Sequence, residues 1–373
     1  MKIGLIHHQI IRGTAVETFL MEFAKRLAAE GHEPVYITTL TTPEIGASLP
    51  GRWELVPRLR GSGAARQWLF DRQAPQIARQ AGVDLTIGFG RTTVQDIHRN
   101  GTGCHRLYGQ LLPVWQRFSF RHLLELHLEK KLYNSTRTKH FVTSSPRVAA
   151  QLQGIYHTPG DRFRILPLPV ESQVFKPAEN RASQRELVCR KLQTDPSKPV
   201  LLFVSLSHRR RGLESLLEAL QTLDATLWIV GKGLSADHLR QIASLGIGGK
   251  IRNVPVTNQL VEIYQSADWF VHPTQYDAYS NTVLQSMACG LPGVVSVMDG
   301  AVDHIKNGEN GFMLYHPQQP VELAARIQEA LDLDEPARAA MGACARESVL
   351  PLTWDTHMAE WSMLIESACS HRS

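Results

Sequence analysis

The sequence has few cysteines and no long hydrophobic run, and each shortage excludes a class of protein. Its five cysteines are widely spaced and form no C-x-x-C pair, so neither a disulfide framework nor a zinc knuckle is expected. No uninterrupted apolar run approaches the roughly 20 residues that a membrane-spanning helix needs. The apolar residues near the start stop at His7 and His8, so we expect no cleaved secretory signal. A reducing cytoplasm is the simplest compartment.

What the 373 residues do contain is an ordinary globular composition. Hydrophobic residues make up 43% and charged residues 20%, which excludes disorder, collagen and coiled coil as dominant descriptions. At roughly 150 residues per domain, the length predicts about two domains. The formal net charge of +5 favours anionic partners such as phosphates, nucleotides and acidic lipids.

Short β-rich runs alternate with helical patterns along the chain, which is typical of βα units around a parallel sheet. The predicted strands are 3–6, 34–39, 84–90, 140–144, 163–166, 200–206, 225–230, 269–272 and 293–297. The predicted helices include 212–220, 235–245, 258–266, 281–289, 320–331 and 336–349. The fold class is therefore α/β, with two doubly wound, Rossmann-like domains that we expect to face each other across a ligand cleft.

Pro167 and Pro169 mark the preferred domain boundary, because proline cannot donate to a strand ladder and fixes an extended path. We predict an N-terminal domain over residues 1–168 and a C-terminal domain over residues 169–350. A final helix over residues 351–373 is expected to pack back toward the N-terminal domain.

Two loops have the strand-to-helix position in which anions bind. Arg209, Arg210 and Arg211 follow the predicted strand 200–206 directly, and Gly13 and Thr14 follow the first strand. Helix N-termini attract anions, and guanidinium groups match phosphate oxygens bidentately. The arginines therefore indicate a phosphate site, and the alternative is a solvated basic cluster.

A third segment combines Asp277, which precedes a predicted helix, with Gln285 about one turn inside it. Both side chains could face one pocket. The alternative is that Ser280 caps the helix and that Gln285 is an ordinary polar position.

Residues 231–236 satisfy the loose G-x-G-x-x-A form of a dinucleotide fingerprint. The acidic residue that would hold the ribose about 20 positions later is missing, so a glycine-bearing turn is the favoured interpretation.

Residues 105–140 form a helical insertion in which basic side chains alternate with aromatic ones, a pattern typical of a membrane-surface segment. The candidate membrane-surface residues are Arg106, Trp115, Arg117, Arg121, Lys130 and Lys131. An ordinary insertion whose apolar face covers the sheet explains the pattern equally well. No nucleic-acid-binding module is recognised.

Taken in order, these motifs resemble the retaining glycosyltransferases of the group-1 (GT4) family, which have the GT-B architecture. The segments that carry the resemblance are 29–35, 227–233, 267–273, 286–292 and 304–312, together with the loop at Gly13. Within that family, the basic insertion and the Arg210-Arg211-Gly212 sequence are most similar to the glucosyltransferases of the lipopolysaccharide core.

The resemblance implies a metal-independent enzyme that moves a hexose, with UDP-glucose as the expected donor, to a membrane-associated glycan or glycolipid such as the lipopolysaccharide inner core. No other cofactor and no nucleic acid are implied. We expect a monomer or weak oligomer at an anionic membrane surface on the cytoplasmic side.

The resemblance also implies roles for individual residues. Arg210 and Arg211 would neutralise the leaving diphosphate, and Asp277 would position donor hydroxyl groups. The donor-binding residues would be Gly13, Thr14, Arg210, Arg211, Val256, Asp277, Ser280, Asn281, Thr282 and Gln285. The acceptor-side candidates are His8, Thr102 and His105.

One departure from the family pattern leaves other functions open. The family's E-x7-E motif reads Asp277-x7-Gln285 here, which shortens one carboxylate and removes the other. The alternatives are a catalytically impaired relative that binds saccharide or lipid, and an NAD-dependent oxidoreductase.

Overall fold

The computed structural model describes residues 1–11, 13–57 and 62–370. The chain divides into two units. Unit 1 comprises Met1–Pro167 together with the chain from His357 onward, and unit 2 comprises Leu168–Thr356.

The described part of unit 1 contains one parallel sheet of seven strands in the order β3-β2-β1-β4-β5-β6-β7. Its strands are β1 Lys2–Ile6, β2 Glu33–Thr38, β3 Arg52–Leu55, β4 Leu85–Gly88, β5 Ile97–Asn100, β6 His140–Thr143 and β7 Phe163–Ile165. The helices between them are α1 Ala15–Ala29, α2 Pro43–Ser48, α3 Gly63–Gln80, α4 His105–Tyr108, α5 Val114–Arg117, α6 Phe120–Tyr133 and α7 Pro146–Tyr156.

Unit 2 contains a parallel sheet of six strands in the order β10-β9-β8-β11-β12-β13. Its strands are β8 Val200–Ser205, β9 Thr226–Gly231, β10 Ile251–Pro255, β11 Trp269–His272, β12 Gly293–Ser296 and β13 Gly311–Leu314. Its helices are α8 Arg181–Leu192, α9 Leu213–Leu220, α10 Ala236–Leu245, α11 Leu260–Ser266, α12 Asn281–Ala288, α13 Pro320–Leu331 and α14 Glu335–Val349.

The central strands form because their side chains are buried on both faces of each sheet. Every residue of β8, β11 and β12 is buried, as expected for a parallel sheet with helices on both sides. In α1 the apolar residues recur at helical spacing, and Phe19, Phe23 and Leu27 are buried. Both units therefore have the doubly wound α/β fold that the alternating pattern predicts.

The strand order determines where each unit presents its functional loops. In unit 2 the order reverses at β8, which pairs with β9 on one side and β11 on the other. Ligands of open α/β sheets bind at the carboxyl ends of the strands beside such a reversal. The loops after β8 and β11 contain Arg210, Arg211 and Asp277, so the topology brings these residues to one edge.

The final helix, α15 (Trp354–Ser370), packs on α1 within unit 1. Trp361 is fully buried and its ring lies 4.8 Å from that of Phe23. Its Nε1 donates a hydrogen bond to His357 Nε2 at 3.0 Å. No described helix is long and apolar enough to cross a membrane.

All nine predicted strands are present with ends that differ by at most two residues, but the sequence pattern missed four others: β3, β5, β10 and β13. Strand β5 reads Ile-His-Arg-Asn, and all four residues are buried. Polar side chains in a buried strand give no hydrophobic signal, so such an element escapes detection. Helix α8 was also missed, because only Val188 and Cys189 in it are buried, and two buried positions give no helical periodicity.

Candidate functional site

The loops that follow β8 and β11 meet at the carboxyl edge of the unit 2 sheet. Gly212 has φ +78°, and a Cβ there would lie 2.1 Å from the Pro273 carbonyl oxygen. Only glycine therefore allows the two loops to come this close. The Arg210 carbonyl accepts a hydrogen bond from the Gln275 amide at 2.9 Å, which fixes the loops to each other.

This approach brings two arginines onto one carboxylate. Asp277 Oδ2 lies 2.7 Å from Arg211 Nη2 and 3.2 Å from Arg210 Nη1. Asp277 is buried and both arginines are partly buried, whereas Arg209 is exposed. Arg209 is therefore a solvent-exposed basic residue, as the alternative interpretation expected. Arg210 and Arg211 instead contact Asp277 within the candidate site.

Two further residues, which the sequence analysis missed, complete this cluster. His272 and Asp299 are fully buried, and His272 Nε2 lies 2.9 Å from Asp299 Oδ2. Asp299 Oδ1 accepts hydrogen bonds from the backbone amides of Ser280 at 3.1 Å and Ala301 at 2.7 Å. Asp299 follows the predicted strand 293–297 just as Asp277 follows 269–272, and this repetition was the available signal.

The protonation states in the cluster follow from its burial. Burial and the nearby Arg211 hold the pKa of His272 well below its usual value, so the ring is neutral. Burial raises the pKa of Asp299. His272 Nε2 also lies 2.7 Å from Arg211 Nη1. One ring nitrogen cannot donate to Asp299 and accept from Arg211 at once, so only one of these contacts is a hydrogen bond at a time.

His272, Asp277 and Asp299 are also close enough to share a metal ion, since one ligand atom from each lies within 4.8 Å of the others. However, the Arg211 guanidinium contacts two of them at 2.7 Å. A cation therefore already occupies the centre of the group, and a resident metal fits only if Arg211 moves away.

Helix α12 directs its N-terminus into the same region. Its N-cap residue, Ser280, makes no side-chain capping hydrogen bond. Instead, Ser280 Oγ accepts from Arg211 Nη1 at 2.7 Å and lies 2.8 Å from Thr282 Oγ1. The alternative in which the Ser280 side chain caps the helix is therefore wrong, and the first-turn amides of α12, beginning at Asn281, gain no side-chain cap from it.

The remaining donor-side candidates have different environments. Gln285 Oε1 lies 3.4 Å from the hydroxyl of the buried Tyr264, which also lies 3.3 Å from the Thr282 carbonyl. Both contacts are long for a hydroxyl donor, so Gln285 keeps accepting capacity. Val256 follows β10 and is exposed.

In unit 1, the loop between β1 and α1 contains Gly13 and Thr14, both exposed. Thr14 and Glu17 form a capping box, in which the Thr14 amide donates to Glu17 Oε2 at 2.9 Å and the Glu17 amide to Thr14 Oγ1 at 3.3 Å. His8 packs edge-on against the buried ring of Phe70 at 5.3 Å.

The other acceptor-side candidates lie after β5. Thr102 is exposed, whereas His105 is buried in a polar cluster. His105 Nε2 lies 2.9 Å from His122 Nδ1 and 3.1 Å from Glu125 Oε2, and its Nδ1 lies 3.2 Å from Arg91. Arg91, His122 and Glu125 were not singled out in the sequence.

The basic insertion presents two different faces. Leu124, Leu128 and Leu132 of α6 are buried, so part of the insertion covers the core. Five other apolar side chains of the insertion, called the aromatic patch below, are between 51% and 76% exposed, namely Val114, Trp115, Phe118, Phe120 and Leu123. The interpretation as an insertion that covers the core is therefore confirmed for part of the segment, and the membrane-surface interpretation stays a prediction for the exposed patch.

The five basic candidates of the insertion are all exposed, and three of them have side-chain partners within the protein. Arg117 donates to the Leu112 and Gln110 carbonyls. Arg121 pairs with Glu125 at 3.2 Å and Lys131 with Asp71 at 3.3 Å. Arg106 and Lys130 are the others.

Comparison with known proteins identifies both units. The family model for group-1 glycosyl transferases matches residues 198–332. The model for glycosyltransferase family 4 matches residues 16–174. These matches favour a glycosyltransferase over the oxidoreductase that the 231–236 turn left open.

Individual relatives agree with the family models. The lipopolysaccharide glucosyltransferase WaaG of Escherichia coli K12 is 22% identical over 335 residues, covering 87% of this chain and 88% of that protein. Several other curated relatives match over only about half of their length.

Among solved structures, a crystal structure of WaaG has a TM-score of 0.78, 20% identity and coverage of 93% and 95%. Anabaena Alr3699/HepE in complex with UDP-glucose has a TM-score of 0.75, 15% identity and coverage of 98% and 100%. The fold is therefore that of the GT-B glycosyltransferases.

Four buried histidines of unit 1 have lowered pKa values, from which we predict that the protein loses stability in acid. Burial lowers the pKa of His7, His105 and His357 to about 4 and that of His98 to about 3. Below pH 6.5 these histidines are protonated in the unfolded chain but stay neutral in the folded chain. The free energy of unfolding therefore decreases as the pH falls from about 6.5 to 4. We expect each histidine to cost about 1–2 kcal/mol of unfolding free energy between pH 7.5 and 5.

Urea unfolding at several pH values measures this effect. His98→Gln should flatten the acid limb, whereas His316→Gln, at an exposed side chain, should leave it unchanged. A free energy of unfolding that is constant from pH 7.5 to 5 would contradict the expectation.

Proposed function

Because the chain belongs to the group-1 glycosyltransferase family, we propose that it transfers a hexose from a nucleoside-diphosphate sugar to a saccharide acceptor with retention of configuration. The observation that carries this proposal is the pairing of Arg210 and Arg211 beside the N-terminus of α12, where Ser280 provides no side-chain cap. All three lie at the carboxyl edge of the unit 2 sheet, where ligands of such folds bind.

The chemical requirement is to stabilise negative charge that grows on the leaving diphosphate. Arg210 and Arg211 would do so through charge-assisted hydrogen bonds, which are roughly twice as strong as neutral ones. Their orientation before the donor binds supports this role, because preorganised donors need no rearrangement during the reaction. The α12 amides would add to the same field.

Asp277 would change partners when the donor binds. It pairs with both arginines in the structure, and a diphosphate carries more negative charge than one carboxylate. Once the arginines turn to the phosphates, Asp277 is available to accept hydrogen bonds from sugar hydroxyl groups. Retention implies that no separate carboxylate base is needed, because the leaving phosphate takes the acceptor proton.

The other candidates complete the donor assignment. Gln285 would accept from a ribose hydroxyl group, and the backbone near Val256 would contact the base. Ser280, Asn281 and Thr282 would contribute the first turn of α12, and Gly13 and Thr14 would contact the phosphates.

UDP-glucose is the proposed donor, and a membrane-associated glycan or glycolipid of the lipopolysaccharide core type is the proposed acceptor. Two findings support these assignments: the name of the WaaG relative, and the UDP-glucose bound to HepE. The candidates for acceptor contact remain His8, Thr102 and His105.

We further propose that the aromatic patch rests on an anionic membrane surface on the cytoplasmic side. Monomeric proteins rarely expose a contiguous group of large apolar side chains without a binding role. The neighbouring Arg106, Arg117, Arg121 and Lys130 add positive charge, which anionic headgroups attract.

The arginine pair gives the first test. Arg210→Ala and Arg211→Ala should each weaken UDP-glucose binding by roughly 10–150-fold, since a hydrogen bond to a charged group contributes about 1.5–3 kcal/mol. Arg209→Ala is the matched control, because Arg209 is adjacent but exposed, and it should change affinity little. Calorimetry that finds wild-type affinity in the Arg210/Arg211 double variant would remove the diphosphate assignment.

Metal independence can be measured by adding a chelator. Because Arg211 occupies the centre of the His272, Asp277 and Asp299 group, we expect turnover in EDTA to equal turnover without it. Activity that EDTA abolishes and a divalent ion restores would defeat this part of the proposal.

Gln285 tests the ribose contact. Gln285→Ala should raise the Michaelis constant for UDP-glucose, because an unpaired hydroxyl in a poorly hydrated site costs about 1–3 kcal/mol. Gln285→Glu should hold or improve donor affinity, and neither change should alter the melting temperature much. Wild-type kinetics in the alanine variant would end the assignment.

Liposome co-sedimentation tests the membrane surface. The protein should bind anionic vesicles and not neutral ones, and binding should weaken as salt shortens the Debye length below about 8 Å. A Trp115→Ser, Phe118→Ser variant should lose most of this binding. Val321→Ser, at an exposed apolar residue of unit 2, is the control. Equal binding to neutral and anionic vesicles would count against the proposal.

A further inference from the structure

A polar pocket at the edge of the unit 1 sheet takes no part in the proposed reaction. Its volume is about 440 Å³, which lies within the range of small-molecule sites. The edge strand β3 forms one wall, and the second half of α3 forms the other. The polar side chains of the described lining are Glu54, Gln73, Gln76 and Gln80.

The register of the sheet explains why a pocket forms here instead of apolar core. Ile6, Ile37 and Glu54 are paired side by side across β1, β2 and β3, so they share one face of the sheet. On that face Ile6 and Ile37 belong to one core cluster with Phe70 and Ala74 of α3. At the edge strand the row ends in the Glu54 carboxylate, which cannot extend the apolar contact with α3. The corner between β3 and α3 is therefore open and polar.

The helix side of the pocket combines carboxamides with an apolar surface. Gln73, Gln76 and Gln80 recur at intervals of three and four residues along α3, so they lie on one face of the helix. The half-buried Ile77 lies between them on the same face. Leu55 of β3, which is 61% exposed, adds a second apolar side chain to the lining.

The fold does not use the polar groups of this lining. Among the described residues, the side chains of Glu54, Gln73, Gln76 and Gln80 make no hydrogen bond, and Glu54 makes no ion pair. Their donors and acceptors are therefore available to a ligand.

The chemistry of the lining indicates which ligand fits. Glu54 carries the one charge among the described residues that line the pocket, so a phosphate, a nucleotide or an anionic headgroup is disfavoured. Carboxamides both donate and accept hydrogen bonds, and a carboxylate accepts them. Sugar hydroxyl groups can pair with all of these groups, while Leu55 and Ile77 suit the apolar face of a sugar ring. A neutral saccharide satisfies both parts of the lining.

From this lining we propose that the pocket binds a neutral saccharide at the edge of unit 1. Four strand spacings separate β3 from β5 in the sheet order, which is roughly 19 Å. The acceptor-side candidates Thr102 and His105 follow β5, so this pocket is a second saccharide site and not the place of transfer. The proposal does not depend on the transfer reaction, because binding alone tests it.

Methyl NMR of the full chain, titrated with neutral oligosaccharides, tests the site directly. The probes are maltotriose, cellotriose, lactose and mannobiose, which differ in sugar and in linkage. At least one of them should shift the methyl signals of Leu55 and Ile77, because both side chains line the pocket. The methyl signals of Leu187, an exposed leucine of unit 2, should stay unchanged. If none of the four probes shifts the Leu55 and Ile77 signals, the proposal is overturned.

Variants of the carboxamides show whether the hydrogen bonds matter. Gln76→Leu and Gln80→Leu should each weaken the binding of the responding oligosaccharide by roughly 2–13-fold, the net contribution of one hydrogen bond. Both positions are exposed, so the melting temperature should change little. Gln318→Leu, at an exposed glutamine of unit 2, is the matched control and should keep wild-type affinity. Wild-type affinity in the Gln76→Leu, Gln80→Leu double variant would contradict the proposal.

Glu54 separates a saccharide site from a cation site. Glu54→Gln keeps an accepting oxygen but removes the charge, so saccharide binding should persist in this variant. Spermidine is the cationic probe. If spermidine shifts the Leu55 and Ile77 signals, loses this effect in Glu54→Gln, and no oligosaccharide shifts them, the pocket is a cation site and the proposal is wrong.

Discussion

The ion pair between Arg211 and Asp277 is the contact on which the unit 2 site depends. It joins the loop after β8 to the loop after β11 at 2.7 Å. Asp299, from the loop after β12, fixes the Ser280 backbone on the other side of the same arginine. Three separate strands and the loops that follow them therefore contribute side chains to a single cluster. Gly212 makes this possible, because any side chain there would push the first two loops apart.

In the proposed function, the same pairing would hold the two arginines in place before an anion binds. Arg210 and Arg211 are partly buried and would be unstable there without a counter-charge. Asp277 supplies it in the resting protein and leaves both guanidinium groups oriented. In the proposed function a diphosphate would replace this one carboxylate contact with several, so little rearrangement would be required.

The sequence predicted the architecture well because hydrophobic periodicity and strand-to-helix loops are local signals. It also singled out Arg210, Arg211 and Asp277, which follow predicted strands directly. It missed His272 and Asp299, because each is a polar residue buried by contacts far away in sequence. Position alone also left two roles open for Ser280, a helix cap or a donor contact. The structure excludes the side-chain cap, because the Ser280 hydroxyl group accepts a hydrogen bond from Arg211.

The central claim is that a substrate diphosphate competes with Asp277 for the arginine pair. Measuring UDP affinity and sugar transfer together in Asp277→Asn tests it most directly. The account predicts that UDP binds about fivefold more tightly, since a competing partly exposed ion pair worth ~1 kcal/mol is removed. Sugar transfer should fall at the same time, because the carboxylate that orients the donor is lost. Weaker UDP binding, or transfer at the wild-type rate, would contradict the account.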